Sequence, residues 1–160
     1  MECLRQMRIS GLERAIAGLN WLAGRRGRSS ALPAHLQTGV AGEQTAYFYL
    51  RRKGYAVVAR RWLAGNLPGD LDLIAWQKSM LCFIEVKTRT VHDLSPAEIA
   101  VDAHKRATLR RLARQYLRQL PEGTIPQSRF DIMSVYLVPG QKSEIVHFEN
   151  AFGWSEQARQ

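Results

Sequence analysis

Two acidic residues and a lysine stand in two short apolar segments of this chain, and their types and spacing suit the binding of a metal ion. Residues 69–75 carry Asp72, and residues 83–87 carry Glu85 and Lys87. Apolar residues dominate both segments and favour a pleated, buried surface, so each is predicted to be a β-strand. The polar residues between the two segments predict a hairpin turn.

The turn decides which residues face one another across this hairpin. It is centred on Lys78 and Ser79. It gives three facing pairs: Trp76 with Leu81, Ile74 with Phe83, and Asp72 with Glu85. Directly opposed residues have Cβ atoms about 4.5–5.5 Å apart, and the alternation of side chains puts Lys87 on the face of Glu85. Two carboxylates this close in an apolar sheet repel each other, so the spacing predicts a cation between them.

This set of residues has the composition expected for metal-assisted phosphodiester hydrolysis. Mg²⁺ prefers oxygen and typically uses one or two carboxylates together with water and phosphate. Asp72 and Glu85 are the predicted ligands, with the backbone carbonyl of Val86 as a third, and Mn²⁺ is an alternative ion. The ion would polarise the scissile phosphate and lower the pKa of a bound water. Lys87 would position that water or stabilise charge that develops in the transition state.

A third acid, Glu43, lies on a helix predicted to precede the strands. Residues 38–53 form this helix, with Thr38 as its N-cap and Gly54 as the residue that ends it. Glu43 shares the apolar face of the helix, where it would extend the metal site or help to bind a second ion. The alternative is a partly solvated glutamate near the helix start, stabilised by the helix dipole.

Further strands and a second helix surround these residues. The helix is predicted to run from Ser95, its N-cap, through Pro96 to about Leu120, with Glu98 completing a capping box. The other strands are predicted at residues 55–62, 130–138 and 144–148. The order helix, three strands, helix, two strands predicts an α/β fold with a five-stranded sheet and helices packed against it.

The 160 residues of the chain are expected to form one domain. This domain is predicted to span residues 37–154, after a basic extension of residues 1–36 that is flexible or partly helical and before a frayed end at residues 155–160. No apolar run approaches the roughly 20 residues that cross a bilayer. Cys3 and Cys82 form no disulfide framework or zinc motif. Serine-nucleophile and glycine-rich phosphate-loop signatures are absent, and a cytoplasmic protein without a membrane partner is expected.

The chain is strongly basic, with a formal net charge of +9. Such a charge favours a polyanionic partner, either nucleic acid or an anionic membrane surface, and a basic protein that is charged only for solubility is the alternative. The second helix carries many of the basic residues, among them Lys105, Arg106 and Arg110. Acidic partners four residues away are nearly absent from this helix. Contact with a phosphate backbone is therefore favoured over a merely solvated face.

Five sequence strings, taken in order, resemble a known family. They are Gly42-Glu43, Gly69-Asp70-Leu71-Asp72-Leu73-Ile74-Ala75, Phe83-Ile84-Glu85-Val86-Lys87-Thr88-Arg89, Arg129-Phe130-Asp131 and Glu149-Asn150-Ala151-Phe152. An aspartate followed by Glu-x-Lys on the next strand is similar to the PD-(D/E)xK nuclease superfamily. The full set looks like the YraN-type bacterial family, which is similar to archaeal Holliday junction resolvases. The resemblance covers about residues 38–154 and implies a restriction-endonuclease-like fold, with a central mixed five-stranded sheet flanked by helices.

The resemblance also implies a Mg²⁺-dependent endonuclease that acts on DNA, branched DNA included. The metal-binding and catalytic positions of such proteins match four residues: Glu43, Asp72, Glu85 and Lys87. Arg89 and Lys105 match positions near a DNA backbone. Similar resolvases act as symmetric dimers, so the resemblance implies a homodimer. The chain departs from the usual pattern at Asp70, where a glutamate is common, and at Arg61, where an asparagine is common.

Two other functions are compatible with the sequence. A basic nucleic-acid-binding module would keep the fold without cleaving its ligand, and an adaptor would use the hairpin or the N-terminal segment to bind a protein. The opposed carboxylates favour the nuclease, because they would weaken the binding of phosphate unless a metal ion neutralised them.

Overall fold

The chain folds as a helix, three strands, a helix and two strands, in the order predicted from the sequence. The structure, a computed structural model, describes residues 33–91, 101–121, 123 and 125–155. The helices are α1 (Ala34–Arg52) and α2 (Ala103–Leu117). The strands are β1 (Ala56–Leu63), β2 (Asp70–Gln77), β3 (Met80–Arg89), β4 (Ser128–Tyr136) and β5 (Glu144–Phe152).

The strands form one mixed sheet in the order β1-β2-β3-β4-β5. β3 and β4 are parallel, and every other neighbouring pair is antiparallel. A parallel pair requires a crossover connection, and α2 lies within the one that joins β3 to β4. This sheet confirms the predicted α/β class and is consistent with a restriction-endonuclease-like fold.

Each helix covers one face of the sheet. Phe83 packs in a cluster with Leu112 of α2, whereas Ile84 packs in a second cluster with Leu50 of α1. Neighbouring residues of a strand face opposite ways, so β3 is buried on both faces. Glu85 follows the alternation of Phe83 and therefore points to the side that α2 covers.

The hairpin of β2 and β3 has the predicted register. Ile74 pairs with Phe83 and Trp76 with Leu81, around a turn in which Lys78 has a φ of +56°. The polar turn residues and the apolar alternation of the strands were thus sufficient to align them.

The first helix begins earlier than predicted. It starts at Ala34, after Pro33, so Thr38 is wrong as the N-cap. Proline is well tolerated at a helix start, since its fixed φ suits the first turn and its missing N–H would have no partner there. The predicted end is confirmed, because Gly54 has a φ of +85° in the left-handed conformation that commonly follows a helix.

The second helix is shorter than predicted. It begins at Ala103, and the side chain of Asp102 accepts a hydrogen bond from the amide of Lys105 at 2.8 Å. Val101 and Asp102 lie outside the helix, so a continuous helix from Ser95 to Leu120 is wrong. The side-chain cap at Asp102 satisfies an amide at the start of a new helix and so marks the true boundary. The predicted capping box of residues 95–98 lies outside the described residues.

Strand β5 and helix α1 both extend beyond their predicted ranges. β5 continues to Phe152 instead of ending at residue 148, and α1 includes residues 34–36, which the sequence analysis placed in the N-terminal extension. The remaining extension, residues 1–32, and the predicted frayed residues 156–160 lie outside the described residues.

Candidate active site

A close approach of α1 to β3 brings Glu43 to the hairpin. A Cβ atom at Gly42 would overlap the Oγ1 atom of Thr88 and would lie 2.8 Å from its Cβ atom. Rotation of the Thr88 side chain moves Oγ1 but cannot move Cβ, so only glycine fits at this crossing. Gly42 therefore lets the helix approach closely enough for Glu43 to line the same cleft as the acids of β2 and β3.

Asp72 lies one step beyond the described pairing of β2 with β3. That pairing ends at Leu73 and Ile84, so Asp72 and Glu85 are the next residues in the same register, one step beyond the described ladder. The backbone amide of Val86 donates a hydrogen bond of 2.7 Å to Asp72 Oδ2. The carboxylate thus bonds the neighbouring strand directly, which fixes its orientation beside Glu85.

Glu85 is a buried carboxylate held by two lysines. Its side chain is 3% exposed. Lys87 Nζ lies 2.9 Å from Oε1, and Lys105 Nζ lies 3.1 Å from Oε2. Oε2 is nevertheless without a well-aligned hydrogen bond among the described residues, so Lys105 meets it as an ion pair of poor direction. A buried carboxylate oxygen in this state has capacity for a further cation or donor.

Burial raises the pKa of Asp72 to about 7, and the negative charge of Glu85 acts in the same direction. The hydrogen bond from Val86 opposes this change, as does the charge of Lys105. The carboxyl group of Asp72 therefore gives up its proton only near neutral pH. This is the electrostatic signature of acids that share a site.

Glu43 is also perturbed, chiefly by burial, which raises its pKa. The charges of Arg61 and Arg60 oppose the increase, and Arg61 Nε lies 3.8 Å from Glu43 Oε2. The structure therefore brings Glu43 to the acids of the hairpin, as its inward position on the helix predicted.

The acids line a cleft of about 480 Å³ between the first half of α1 and the end of β3. Its walls include Glu43, Asp72, Glu85, Val86, Lys87 and Thr88. A cleft of this size accommodates a small ligand or a part of a larger one. All the predicted metal-binding and catalytic residues thus meet at one place.

The donor atoms of this cleft fit a hard cation that completes its shell with water and phosphate. Among the described residues, no three His, Cys, Asp or Glu side chains form a ready-made metal site. Mg²⁺ does not need one, because it commonly binds through one or two carboxylates and keeps its waters. The incompletely bonded Oε2 of Glu85 and the charge repulsion at Asp72 are the observations that support this fit.

The four residues predicted to contact nucleic acid have different surroundings. Lys105 forms an ion pair with Glu85. Burial alone would lower the pKa of Lys105, but the charge of Glu85 outweighs it and the pKa is raised above its usual value. Arg106 Nε donates to the carbonyl of Val101 at 2.7 Å. Arg110 is buried, and its Nε donates to the carbonyl of Gly153 at 2.9 Å. Arg89 is half-buried at the end of β3.

Arg106 and Arg110 thus hold α2 to its surroundings, and their contact with nucleic acid stays a prediction. The exposed basic residues of α2 are Arg111 and Arg114. Because helical side chains three and four positions apart share a face, these exposed positions continue to Arg118. The sequence could not separate the buried arginines from the exposed ones, since all of them lie among apolar residues at helical spacing.

A second polar cluster, on the face that α1 covers, was missed in the sequence. Asp131 is fully buried and binds Arg129 Nε at 2.9 Å, His147 Nε2 at 3.0 Å and the amide of Asn150 at 2.8 Å. Arg129 Nη2 also forms an ion pair with Glu149 Oε2 at 3.1 Å. The spacing of Arg129 and Asp131 on one strand face was the available signal, but nothing in the sequence indicated their partners on β5.

Neither α1 nor α2 has the length and hydropathy that crossing a bilayer requires.

Comparisons with known proteins give a consistent assignment. A family model described as "Uncharacterised protein family UPF0102" matches residues 42–135. A UPF0102 protein of Koribacter versatilis is 52% identical over 120 residues, which are 75% of this chain and 82% of the relative. One from Solibacter usitatus is 47% identical over 108 residues, 66% of this chain and 80% of the relative. One from Nocardia farcinica is 38% identical over 128 residues, 80% of this chain and 94% of the relative.

Proposed function

Because the chain belongs to the UPF0102 family, we propose, from the geometry of its site, that it is a metal-dependent endonuclease or nuclease-like protein acting on DNA, branched DNA included. The observation that carries this proposal is the meeting of Asp72, Glu85 and Lys87 in one cleft. In a sheet with only a structural role, two neighbouring carboxylates would lower stability, because their negative charges repel each other away from water.

Asp72, Glu85 and the carbonyl of Val86 are the groups that would hold Mg²⁺ or Mn²⁺, with Glu43 as a further ligand. When bound, the ion supplies Lewis-acid charge that polarises a phosphodiester and favours deprotonation of the attacking water. The Val86 amide orients Asp72 through its 2.7 Å hydrogen bond to Oδ2. Because the pKa of Asp72 is about 7, this carboxyl releases a proton near neutral pH when a cation binds.

Lys87 is the residue that would meet the scissile phosphate. Its ammonium group lies 2.9 Å from Glu85 Oε1 and is partly exposed to the cleft. Glu85 fixes one direction of this group, which leaves the ammonium able to donate to a phosphate oxygen. Such a donor stabilises negative charge that develops on the phosphate during attack.

Binding without cleavage is the second candidate function, and one observation favours it. Lys87 and Lys105 already neutralise much of Glu85, so phosphate would approach this side of the cleft without a metal ion. The two functions differ in what metal does, because a simple binding module has no need of it.

Cleavage of defined DNA substrates tests the proposal. We expect linear, nicked, flapped or four-way DNA to be cut by the full chain with Mg²⁺ or Mn²⁺, and not in EDTA. Asp72→Asn, Glu85→Gln and Lys87→Met should abolish cutting. Glu144→Gln, which removes an acid from the exposed start of β5, is the matched control and should retain it.

The outcomes separate the two candidate functions. Cutting that survives all three site substitutions would contradict the proposal, because it would then come from another site or a contaminant. DNA binding that ignores metal and is never followed by cutting would favour the binding module. The DNA partner, the homodimer and the cytoplasmic location stay predictions.

A further inference from the structure

Arg61 of β1 lies beside Asp72 of β2. β1 flanks β2 on one side, and β3, which carries Glu85, flanks it on the other. Arg60 pairs with Leu73 and Trp62 pairs with Leu71, so Arg61 is the residue of β1 that falls next to Asp72. Asp72 therefore lies between a strand that carries an arginine and a strand that carries an acid and a lysine.

The backbone of Arg61 is unusual for a strand. Its φ is +46°, in the left-handed region where the Cβ atom of an ordinary residue crowds a carbonyl oxygen. A residue that continued the pleat would have a strongly negative φ instead. Unfavourable backbone of this kind persists where the surrounding structure enforces it, and it is concentrated at functional sites.

The conformation places the Arg61 guanidinium between two acids from different elements. Its Nε atom lies 3.8 Å from Glu43 Oε2 on α1 and 3.9 Å from Asp70 Oδ2 on β2. Both distances exceed those of a hydrogen bond, and the side chain is 59% exposed. A guanidinium has five N–H donors in a planar fork, so these two loose ion pairs leave it with donors for an incoming acceptor.

Glu43 and Asp70, the two acids beside Arg61, would repel a phosphate group if no cation stood near them. Glu43 lines the cleft, and Asp70 lies almost as close to Arg61 as Glu43 does, with ion-pair distances of 3.9 and 3.8 Å. An arginine fork matches two phosphate oxygens at once, which a lysine cannot do. The position of Arg61 thus suits recognition of a phosphate at the rim of the cleft.

We propose that Arg61 is a phosphate-binding residue of this site, and that its left-handed backbone aims it at a backbone phosphate next to the one at Asp72 and Glu85. This inference rests on the proposed function, since it requires nucleic acid in the cleft. It assigns to β1 a role that neither the family resemblance nor the predicted ligand set contains.

The test measures binding of a fluorescein-labelled four-way DNA junction to the full chain. Fluorescence anisotropy is recorded in EDTA, so that cleavage does not interfere, over a series of KCl concentrations. Arg61→Asn tolerates a left-handed backbone but lacks the charge, and Arg61→Lys keeps the charge but loses the fork. The matched control is Arg52→Asn, which removes the same charge from the exposed last turn of α1.

We expect Arg61→Asn to weaken binding about tenfold and to reduce the slope of log K against log[KCl] by about 1, as the loss of one phosphate contact does. The affinity of Arg61→Lys for DNA should lie between those of Arg61→Asn and the wild type. Arg52→Asn should leave both the affinity and the slope unchanged. If Arg61→Asn and Arg52→Asn have the same affinity and slope, the inference is overturned while the proposed function stands. If the wild type binds no DNA in EDTA but cuts it with Mg²⁺, the inference is overturned while the proposed function stands, and if it neither binds nor cuts DNA, both are overturned.

A purely structural role for Arg61 is separated by thermal unfolding. Glycine adopts a left-handed backbone without a steric cost. The Tm of Arg61→Gly should therefore equal or exceed that of the wild type, while its affinity for DNA falls. A lower Tm with unchanged DNA binding would assign Arg61 to the fold alone and would overturn the inference.

Discussion

Lys105 Nζ lies 3.1 Å from Glu85 Oε2, so a lysine of the crossover helix neutralises the most buried acid of the site. A residue predicted to face DNA therefore has a partner inside the protein. The bond also ties the first turn of α2 to the centre of the sheet, because Glu85 lies on β3.

We expect Lys105→Met to lower the free energy of unfolding by roughly 1–3 kcal/mol, because it leaves one oxygen of a buried carboxylate without its cation. Urea denaturation at pH 7 measures this change. Lys142→Met, at an exposed position in the β4–β5 connection, is the control and should change stability very little. Equal effects of the two substitutions would contradict an energetic role for the Lys105–Glu85 pair.

Asp72→Asn should stabilise the fold while it abolishes activity. The folded-state pKa of Asp72 is about 7, above its usual value of 3.8, so the folded protein binds the extra proton between these values. The contribution of Asp72 to wild-type stability should therefore decline as pH rises from about 4 to 7. Asparagine has no charge to bury and keeps an oxygen for the Val86 amide.

The expected difference from the wild type is roughly 1–3 kcal/mol at pH 8, and it should shrink towards pH 4. Denaturation of both proteins across this pH range, in EDTA, measures it. A gap between the two proteins that does not change with pH would show that Asp72 is not protonated in the folded state.

Gly42→Ala tests the close approach of α1 to β3. The added methyl group would overlap the Thr88 side chain and lie 2.8 Å from its Cβ atom, so the helix must shift. Overpacking of this kind lowers stability by about 1–3 kcal/mol. Gly39→Ala is a matched control, since a Cβ atom there meets nothing within 4 Å, and helix propensity alone should make it slightly stabilising. A neutral Gly42→Ala would show that the crossing has room to spare.

Asp131→Asn tests the buried cluster on the other face. Asp131 binds a guanidinium, a histidine ring and a backbone amide, and loss of its charge leaves Arg129 with weaker compensation. We expect unfolding to become easier by about 3 kcal/mol, as when a buried pair loses one partner. Glu149→Gln, whose side chain is 48% exposed, should cost less than about 1 kcal/mol. Similar losses in the two variants would mean that burial does not set the strength of this cluster.

Local patterns in the sequence were sufficient to predict the order of the helices and strands and the proximity of Asp72 to Glu85. The hairpin register followed from a short turn and an apolar alternation, so these two features alone place Asp72 and Glu85 near each other. The end of α1 followed from Gly54, whose backbone freedom is a local property.

Features that depend on long-range packing could not be predicted. The direction in which an arginine of α2 points is decided by what packs on the helix, so Arg110 inside and Arg111 outside look alike in sequence. The left-handed backbone of Arg61 could not be predicted either, because arginine has no particular preference for a positive φ. The shift in pairing between Phe130 and Ile132 arises only where β5 meets β4.

The parallel pairing of β3 with β4 predicts an order of events during folding. Leu81 lies beside Ser128, so this pairing closes a long loop and is slow to form, whereas the β2–β3 hairpin closes only its own turn. We therefore expect Asp72, Glu85 and Lys87 to meet early, because all three lie on the hairpin, while Lys105 arrives with the crossover helix. The hairpin then brings together two acids and one lysine, and the docking of α2 is the step that supplies the second lysine and balances the charge of the site.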